Sequence, residues 1–184
     1  MTGFLRIERT ARATGTATSL TEAKAHLRLD FPDDDPKLDA LLRAAELEIE
    51  RLASLAVVPQ TVIVTAPRWP GGDSDEMSLP IGPVLEGASV AVTVEGEAFD
   101  AFEIDHGERP VLRLTRDPAE DEYWSRWRFA YAAGWPIGTA PSDLRAAVCE
   151  AAGWLFDGIG HDHRAPAQAP ALSRAAARYR GVRA

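Results

Sequence analysis

The 184-residue chain has one cysteine, Cys149, two methionines and only 8% aromatic residues. A single thiol excludes a disulfide framework. Its place beside Val148 and Ala152 in a helical pattern reads as a small buried side chain. No apolar run approaches the roughly 18 residues that a membrane-spanning helix needs. Residues 1–18 are small, polar and Arg-containing, without the apolar stretch of a secretory signal, and read as a flexible N-terminal arm. Cytosolic synthesis is the expectation.

Catalytic signatures are missing as well. There is no Gly-rich phosphate loop, no nucleophile elbow and no Cys pair with metal spacing. His161-Asp162-His163 is the one local cluster of metal-ligand types, but adjacent residues rarely converge on one ion. His26, one helical turn before Asp30, reads as a surface or packing histidine rather than a base. Asp33, Asp34 and Asp35 lack the spaced ligands and downstream bidentate Glu of a calcium loop, so capping and solvation account for them. The acidic stretch 117–122 reads as a solvated loop. With no convergent set of titratable residues, no enzymatic role, metal or other cofactor is expected.

Charge is present, and unevenly spread. The total is 20 Lys and Arg against 28 Asp and Glu, a net of −8. From His163 onward the chain has five arginines (Arg164, Arg174, Arg178, Arg180, Arg183) and no acid, which leaves the first 162 residues 15 basic and 28 acidic side chains, net −13. An acidic body argues against a dedicated DNA binder, because neutralising phosphate supplies most of that affinity. The basic tail could still meet nucleic acid or an acidic protein surface.

Period and punctuation give the elements. Ser19 with Glu22 three residues on forms a capping box, and Leu20, Ala23 and Leu27 give a short helix over 20–29. The turn 31–36 breaks it, and Asp35 before Pro36 predicts a restart with the carboxylate as cap. Leu38, Leu41, Leu42, Ala45, Ile49 and Leu52 then make one apolar stripe on a helix over 36–54. Lys37, Arg43, Glu46, Glu48, Glu50 and Arg51 are assigned to the opposite, solvated or partner-facing side. After Pro59 the period changes to two. Strands are predicted at 61–65, 90–94, 98–104, 111–115 and 123–131, joined by tight turns, so that 60–132 is β-rich and antiparallel. Ser142 is the expected cap of a helix over 142–157. Residues 161–184 form an extended basic tail, in which a segment at 171–179 has too little apolar surface to order without a partner. The fold class is α+β: N- and C-terminal helices forming a bundle, an antiparallel sheet or sandwich between them, and a flexible C-terminal tail.

Several of these stretches resemble, in order, the head–tail connector (adaptor) family of tailed phages, also found in gene transfer agents. The matching residues are Leu20, Ala23, Lys24, His26, Leu27, Arg28 and Leu29, the acidic linker and helix centre from Asp33 to Glu50, and the Gln60-Thr61 strand start. Leu79, Pro80, Pro83 and Val84 follow, then the exit from Tyr131 to Pro136 and the helix start from Pro141 to Val148. The likeness covers roughly residues 19–157, and 19–160 would form the connector domain. It departs at the end of the last helix, Trp154-Leu-Phe-Asp-Gly158, and in the Ala/Pro/Arg tail.

The resemblance implies a homo-oligomeric, dodecameric ring below the portal protein of a phage-like particle. Such a ring extends the DNA channel without binding the DNA specifically, and presents a platform to the next head-completion or tail protein (the stopper). It implies assembly in the bacterial cytoplasm, a final place in the particle neck, and no membrane. The candidate portal contacts are Arg164, Arg174, Arg178, Tyr179 and Arg180, since Arg and Tyr are enriched at interface hot spots. The candidate ring contacts are Arg43, Glu46, Glu50, Trp124 and Trp127. For Trp124, Trp127 and Trp135 sheet-core packing is the plainer reading. The alternative function is a nucleic-acid-binding accessory protein acting through the Arg-rich tail.

Overall fold

The computed structural model describes residues 5–30, 32–158 and 169–180, and the chain forms two compact units. One comprises Met1–Arg12 with Pro59–Gly134, the other Ala13–Val58 with Trp135–Ala184. The class is α+β with antiparallel sheets, as the sequence predicts.

The first unit is β-rich. Strands β1 (Arg6–Thr10), β2 (Gln60–Ala66), β4 (Val90–Val94), β5 (Glu97–Ala98) and β8 (Trp127–Ala133) form an antiparallel sheet in the order β1-β2-β8-β4-β5. Strands β3 (Glu76–Ser78), β6 (Phe102–Asp105) and β7 (Val111–Leu114) form a second, in the order β3-β7-β6. In β2 and β8 every second residue is buried, as a half-buried strand requires. Trp127, Phe129 and Tyr131 point inward while Arg128 is exposed. Trp69 and Phe99 each meet Trp127 with ring centroids 4.9 Å apart, a tilted and an edge-on contact respectively. The Tyr131 hydroxyl accepts the backbone N–H of Ile81 at 3.3 Å, and burial pushes its pKa up.

Three expectations for this unit need correction. Part of the N-terminal arm is a strand: β1 pairs along its length with β2, from Arg6 opposite Thr65 to Thr10 opposite Thr61. The single strand predicted over 98–104 is two, because the chain leaves the first sheet after Ala98 and enters the second at Phe102. The strand predicted from Tyr123 begins at Trp127, since residues 120–123 form a helical turn, α3 (Glu120–Tyr123).

The second unit holds helices α1 (Leu20–Leu27), α2 (Asp35–Ala53), α4 (Ser142–Asp157) and α5 (Pro170–Tyr179). The capping box is formed as read: Glu22 N–H donates to Ser19 Oγ at 3.1 Å, and Ser19 N–H to Glu22 Oε2 at 3.3 Å. Two other caps differ. Asp35 is itself the first residue of α2 and accepts from Lys24 Nζ at 2.6 Å, while a 3₁₀ turn (Pro32–Asp34) leads into the helix. Helix α4 starts at Ser142 behind Pro141, without a side-chain cap. Helices α2 and α4 pack on each other, burying Leu38, Leu42, Ala45 and Ile49 of one and Leu144, Val148, Ala151 and Leu155 of the other. Gly153 lets α1 approach α4, because a Cβ there would fall inside contact distance of Leu27 Cδ2.

Helix α5 overturns the expectation of a tail that orders only on a partner. It packs on α2 and α4 and buries Ala171, Leu172 and Ala176. Its apolar face is narrow, but three small or medium side chains fill a seam between two helices already in place. Leu172 is fully buried, so Leu172→Ala should cost about 2–5 kcal/mol in urea unfolding. A change near zero would mean that α5 is not docked in solution.

Candidate functional site

The residues singled out from the sequence fall into three groups in the structure. Arg164 and the His161-Asp162-His163 cluster lie outside the described residues. The remaining tail candidates sit on or just after α5, and most are engaged by the chain itself. Arg178 Nη1 lies 2.8 Å from Asp143 Oδ2, and the Tyr179 hydroxyl donates to the other oxygen of the same carboxylate at 2.8 Å. The Tyr179 ring meets Trp135 edge-on at 6.5 Å. Arg180 donates from Nε and Nη2 to the Leu52 carbonyl at 3.0 and 2.8 Å. Arg174 reaches Glu150 at 3.3 Å. Asp143, in the first turn of α4, thus receives two donors from the end of α5 where carboxylates are favoured by the helix dipole. The side chains of Arg174 and Arg178 are still 71% and 72% exposed.

The ring candidates on α2 divide. Arg43 is at the surface, donating to Asp39 Oδ2 at 2.9 Å and to the Thr14 carbonyl at 2.6 Å. Its hydrogen bond with Asp39 raises the guanidinium pKa further. Glu46 and Glu50 are not at the surface at all, being 0% and 2% exposed. Glu46 Oε1 accepts the Ala17 N–H at 2.6 Å, and Glu50 Oε1 accepts the Val57 N–H at 2.8 Å. A carboxylate leaves water only where donors replace it, and here backbone amides of the flanking segments do so. The signal was available in the spacing: Leu38, Leu42, Glu46 and Glu50 form one i, i+4 row. Reading only the apolar stripe placed the two glutamates outside it.

The two tryptophans divide as well. Trp127 is fully buried and belongs to the core of its sheet, with its indole N–H on the Glu122 carbonyl at 2.9 Å. Trp124 is 60% exposed, edge-on to Tyr123 at 5.0 Å, with the Arg68 guanidinium 5.4 Å from its ring. The acidic loop before it is more than solvated. Arg116 makes two hydrogen bonds of 2.7 Å to Glu122, which also accepts the Ala119 N–H at 2.8 Å. The Arg116 guanidinium and the Ala119 amide hold the Glu122 carboxyl well below the usual range, at about 2.

Among the described residues no arrangement of side chains favours chemistry on a substrate. Among the described residues no group of three or more His, Cys, Asp or Glu side chains is placed to hold a metal ion. Burial raises the Cys149 pKa, the opposite of what a nucleophilic thiol needs. Nor is any helix among the described residues long and apolar enough to cross a membrane. What the surface offers is contact: an exposed Trp124 with Arg68, arginines along α5, and the edges of a sheet.

Comparison with known proteins points the same way. No protein-family model and no curated protein sequence matches the chain. Solved structures do. A chain of the virion of the native gene transfer agent particle is 27% identical with TM-score 0.73, over 97% of this chain and 96% of that one. A chain of the neck of the empty particle, computed with C6 symmetry, is 25% identical with TM-score 0.72, over 97% of both. A chain of the native particle's neck is 24% identical with TM-score 0.69, again over 97% of both. The fold is one found in the neck of gene transfer agent particles. This bears out the resemblance to head–tail connectors read from the sequence, and the neck fold extends that likeness beyond residues 19–157 to nearly the whole chain.

Two measurements test the site as described. Glu46→Ala removes the acceptor of a buried amide and should cost about 1–3 kcal/mol in urea unfolding, with Glu46→Gln losing less because it keeps an acceptor oxygen. Equal losses would assign the effect to charge instead. The depressed pKa of Glu122 stabilises the fold above its ordinary value of 4.5, and this contribution fades as pH falls toward about 2. Acid titration of unfolding should therefore be shallower in Glu122→Gln across that window. An unchanged slope would show that the Arg116 pairing is not maintained in solution.

Proposed function

We propose that the chain is a structural neck subunit, a head–tail connector that assembles as a ring below the portal of a phage-like particle. The observation that carries this reading is the end-to-end likeness to the neck chain: 25% identity and TM-score 0.72 over 97% of both chains. The likeness is not to a shared subdomain. It takes in both units. The two necks were computed with C6 and with C12 symmetry, orders compatible with a ring of twelve, and identical copies related by rotation need one repeated contact to close.

The physics of the chain suits the role. A channel that passes DNA should not retain it, and a net charge of −8 repels phosphate. In this reading the ring lengthens the channel, receives the next head-completion or tail protein on its far side, and is assembled in the bacterial cytoplasm before joining the particle neck. It carries out no reaction. The rival reading, nucleic-acid binding through the tail, loses support because Arg174, Arg178 and Arg180 hold partners on α4 and α2. Portal contact remains assigned to Arg164 and to the outer side of α5, where Arg174 and Arg178 keep most of their exposure.

The test is co-sedimentation of the full chain with its cognate portal ring in moderate salt. Saturable binding is expected, weakened about tenfold or more by the Arg174→Glu/Arg178→Glu double variant. Failure of the wild-type chain to bind sinks the connector reading. Undiminished binding of the variant would move the portal contact off α5 and leave the rest standing.

A further inference from the structure

A ring built from identical copies needs two different faces on each subunit that fit each other, because a head-to-tail contact closes a ring whereas a twofold contact closes a dimer. The five-stranded sheet of the β-rich unit has two such faces. At one end is β1, which among the described residues pairs only with β2. On it are Ile7, 42% exposed, and Arg6, which lies 2.7 Å from Glu8 yet keeps a side chain 78% exposed; Leu5, just before the strand, is 39% exposed. Residues 1–12 hold three arginines (Arg6, Arg9, Arg12) and one acid, Glu8. At the other end is β5, which among the described residues pairs only with β4. An open groove of about 420 Å³ runs beside it, with Val94 and Phe99 in its wall. Its carboxylates are Glu95, Glu97, Asp100, Asp121 and Glu122, against a single cation, Arg116, which is held by Glu122. Trp124 follows Glu122 closely in the chain and is exposed.

Leu5, Ile7 and Trp124 are the large apolar side chains left exposed in the described part of this unit. They lie on the strand at one end of the sheet and in the loop that lines the groove at the other. An uncovered edge strand bearing apolar side chains is a liability that folded proteins usually cover or pair. Pairing two β1 edges by a twofold axis would close a dimer rather than a ring. The acidic groove has the opposite sign and an edge of its own.

We infer that the β1 edge of one copy docks along β5 and its groove in the next copy, adding a strand across the subunit boundary, with Leu5 and Ile7 directed to the Trp124 side and Arg6 to the carboxylates. Backbone pairing supplies affinity in such strand addition, and side chains set the register. This inference rests on the ring reading above and names the contact that repeats.

The experiment adds one reporter cysteine per copy to the full chain, the native Cys149 being only 3% exposed. Thr10→Cys and Ala98→Cys copies, with reporters on β1 and β5 outside the proposed charge contacts, are mixed with a short bismaleimide, with and without the portal ring. The mixed pair should dominate over both self pairs, and adding Trp124→Asp to the Ala98→Cys copy should reduce it about tenfold or more. Mixed product no greater than the self pairs, or no greater than from an Ala40→Cys control on α2, overturns the inference. If that happens while the unmodified chain still saturates the portal, the connector reading stands and only this contact falls. A wild-type chain that fails on the portal brings down the connector reading, whatever the cross-links show.

Discussion

Two carboxylates buried on α2 hold the backbone at both points where the chain leaves the helical unit on its N-terminal side. Glu46 takes the amide of Ala17, a few residues after the chain leaves the β-rich unit at Arg12. Glu50 takes the amide of Val57, just before it returns at Pro59. Both bonds sit where water is excluded, so a donor lost there would not be replaced by solvent. Helix α2 is therefore a ruler as well as a packing surface. One turn separates the two glutamates, and that single turn sets the spacing of the two amides, Ala17 and Val57, that they hold within the helical unit.

The helical unit uses its basic tail in a related way. Helix α5 has little apolar surface, with Ala171, Leu172 and Ala176 as its buried side chains. It is instead fastened at its C-terminal end by polar bonds: Arg178 and Tyr179 on Asp143, and Arg180 on the Leu52 carbonyl. Exposed ion pairs of this kind contribute little singly, about 0–1 kcal/mol. Their effect here is to select one register for a helix whose small side chains would fit several. A run of arginines in a sequence thus need not mark a nucleic-acid arm, because among the described residues Arg174 and Arg178 have found carboxylates and Arg180 a helix-terminal carbonyl.

What the sequence made legible were features whose cause is local. The Ser19–Glu22 capping box, the apolar row of α2, the alternation of β8 and the helix from Ser142 all appear within a residue or two of their expected places. What it hid depends on partners distant in the chain. Arg-Ile-Glu-Arg-Thr shows no strand signal by itself and becomes β1 only beside β2. Nothing local separates Ala98 from Phe102, yet the chain changes sheets between them. Glu46 and Glu50 continue the Leu38–Leu42 row, so their burial was legible in the spacing, but not the two amides of flanking segments that they hold. The candidate site was partly legible: Arg43 and Trp124 are at the surface, while Glu46, Glu50 and Trp127 are interior.

Charge decides how such a chain can associate. Copies that each carry a net −8 repel at long range. Association must therefore rest on local exceptions to the overall sign, and complementary patches give specificity more than raw affinity. The chain has two groups of such exceptions, the arginines of α5 and those of residues 1–12. Those of α5 hold carboxylates and a carbonyl of their own unit, and what they show outward is the exposed remainder of paired groups. Arg6 of the β1 segment likewise holds a carboxylate, Glu8, at 2.7 Å. What the β1 segment adds is exposed Ile7 on a strand edge, with exposed Leu5 just before it, and an edge of this kind is a template on which another strand can pair. Apolar contact, backbone pairing and favourable charge coincide there, on the element that the sequence pattern gave least reason to notice.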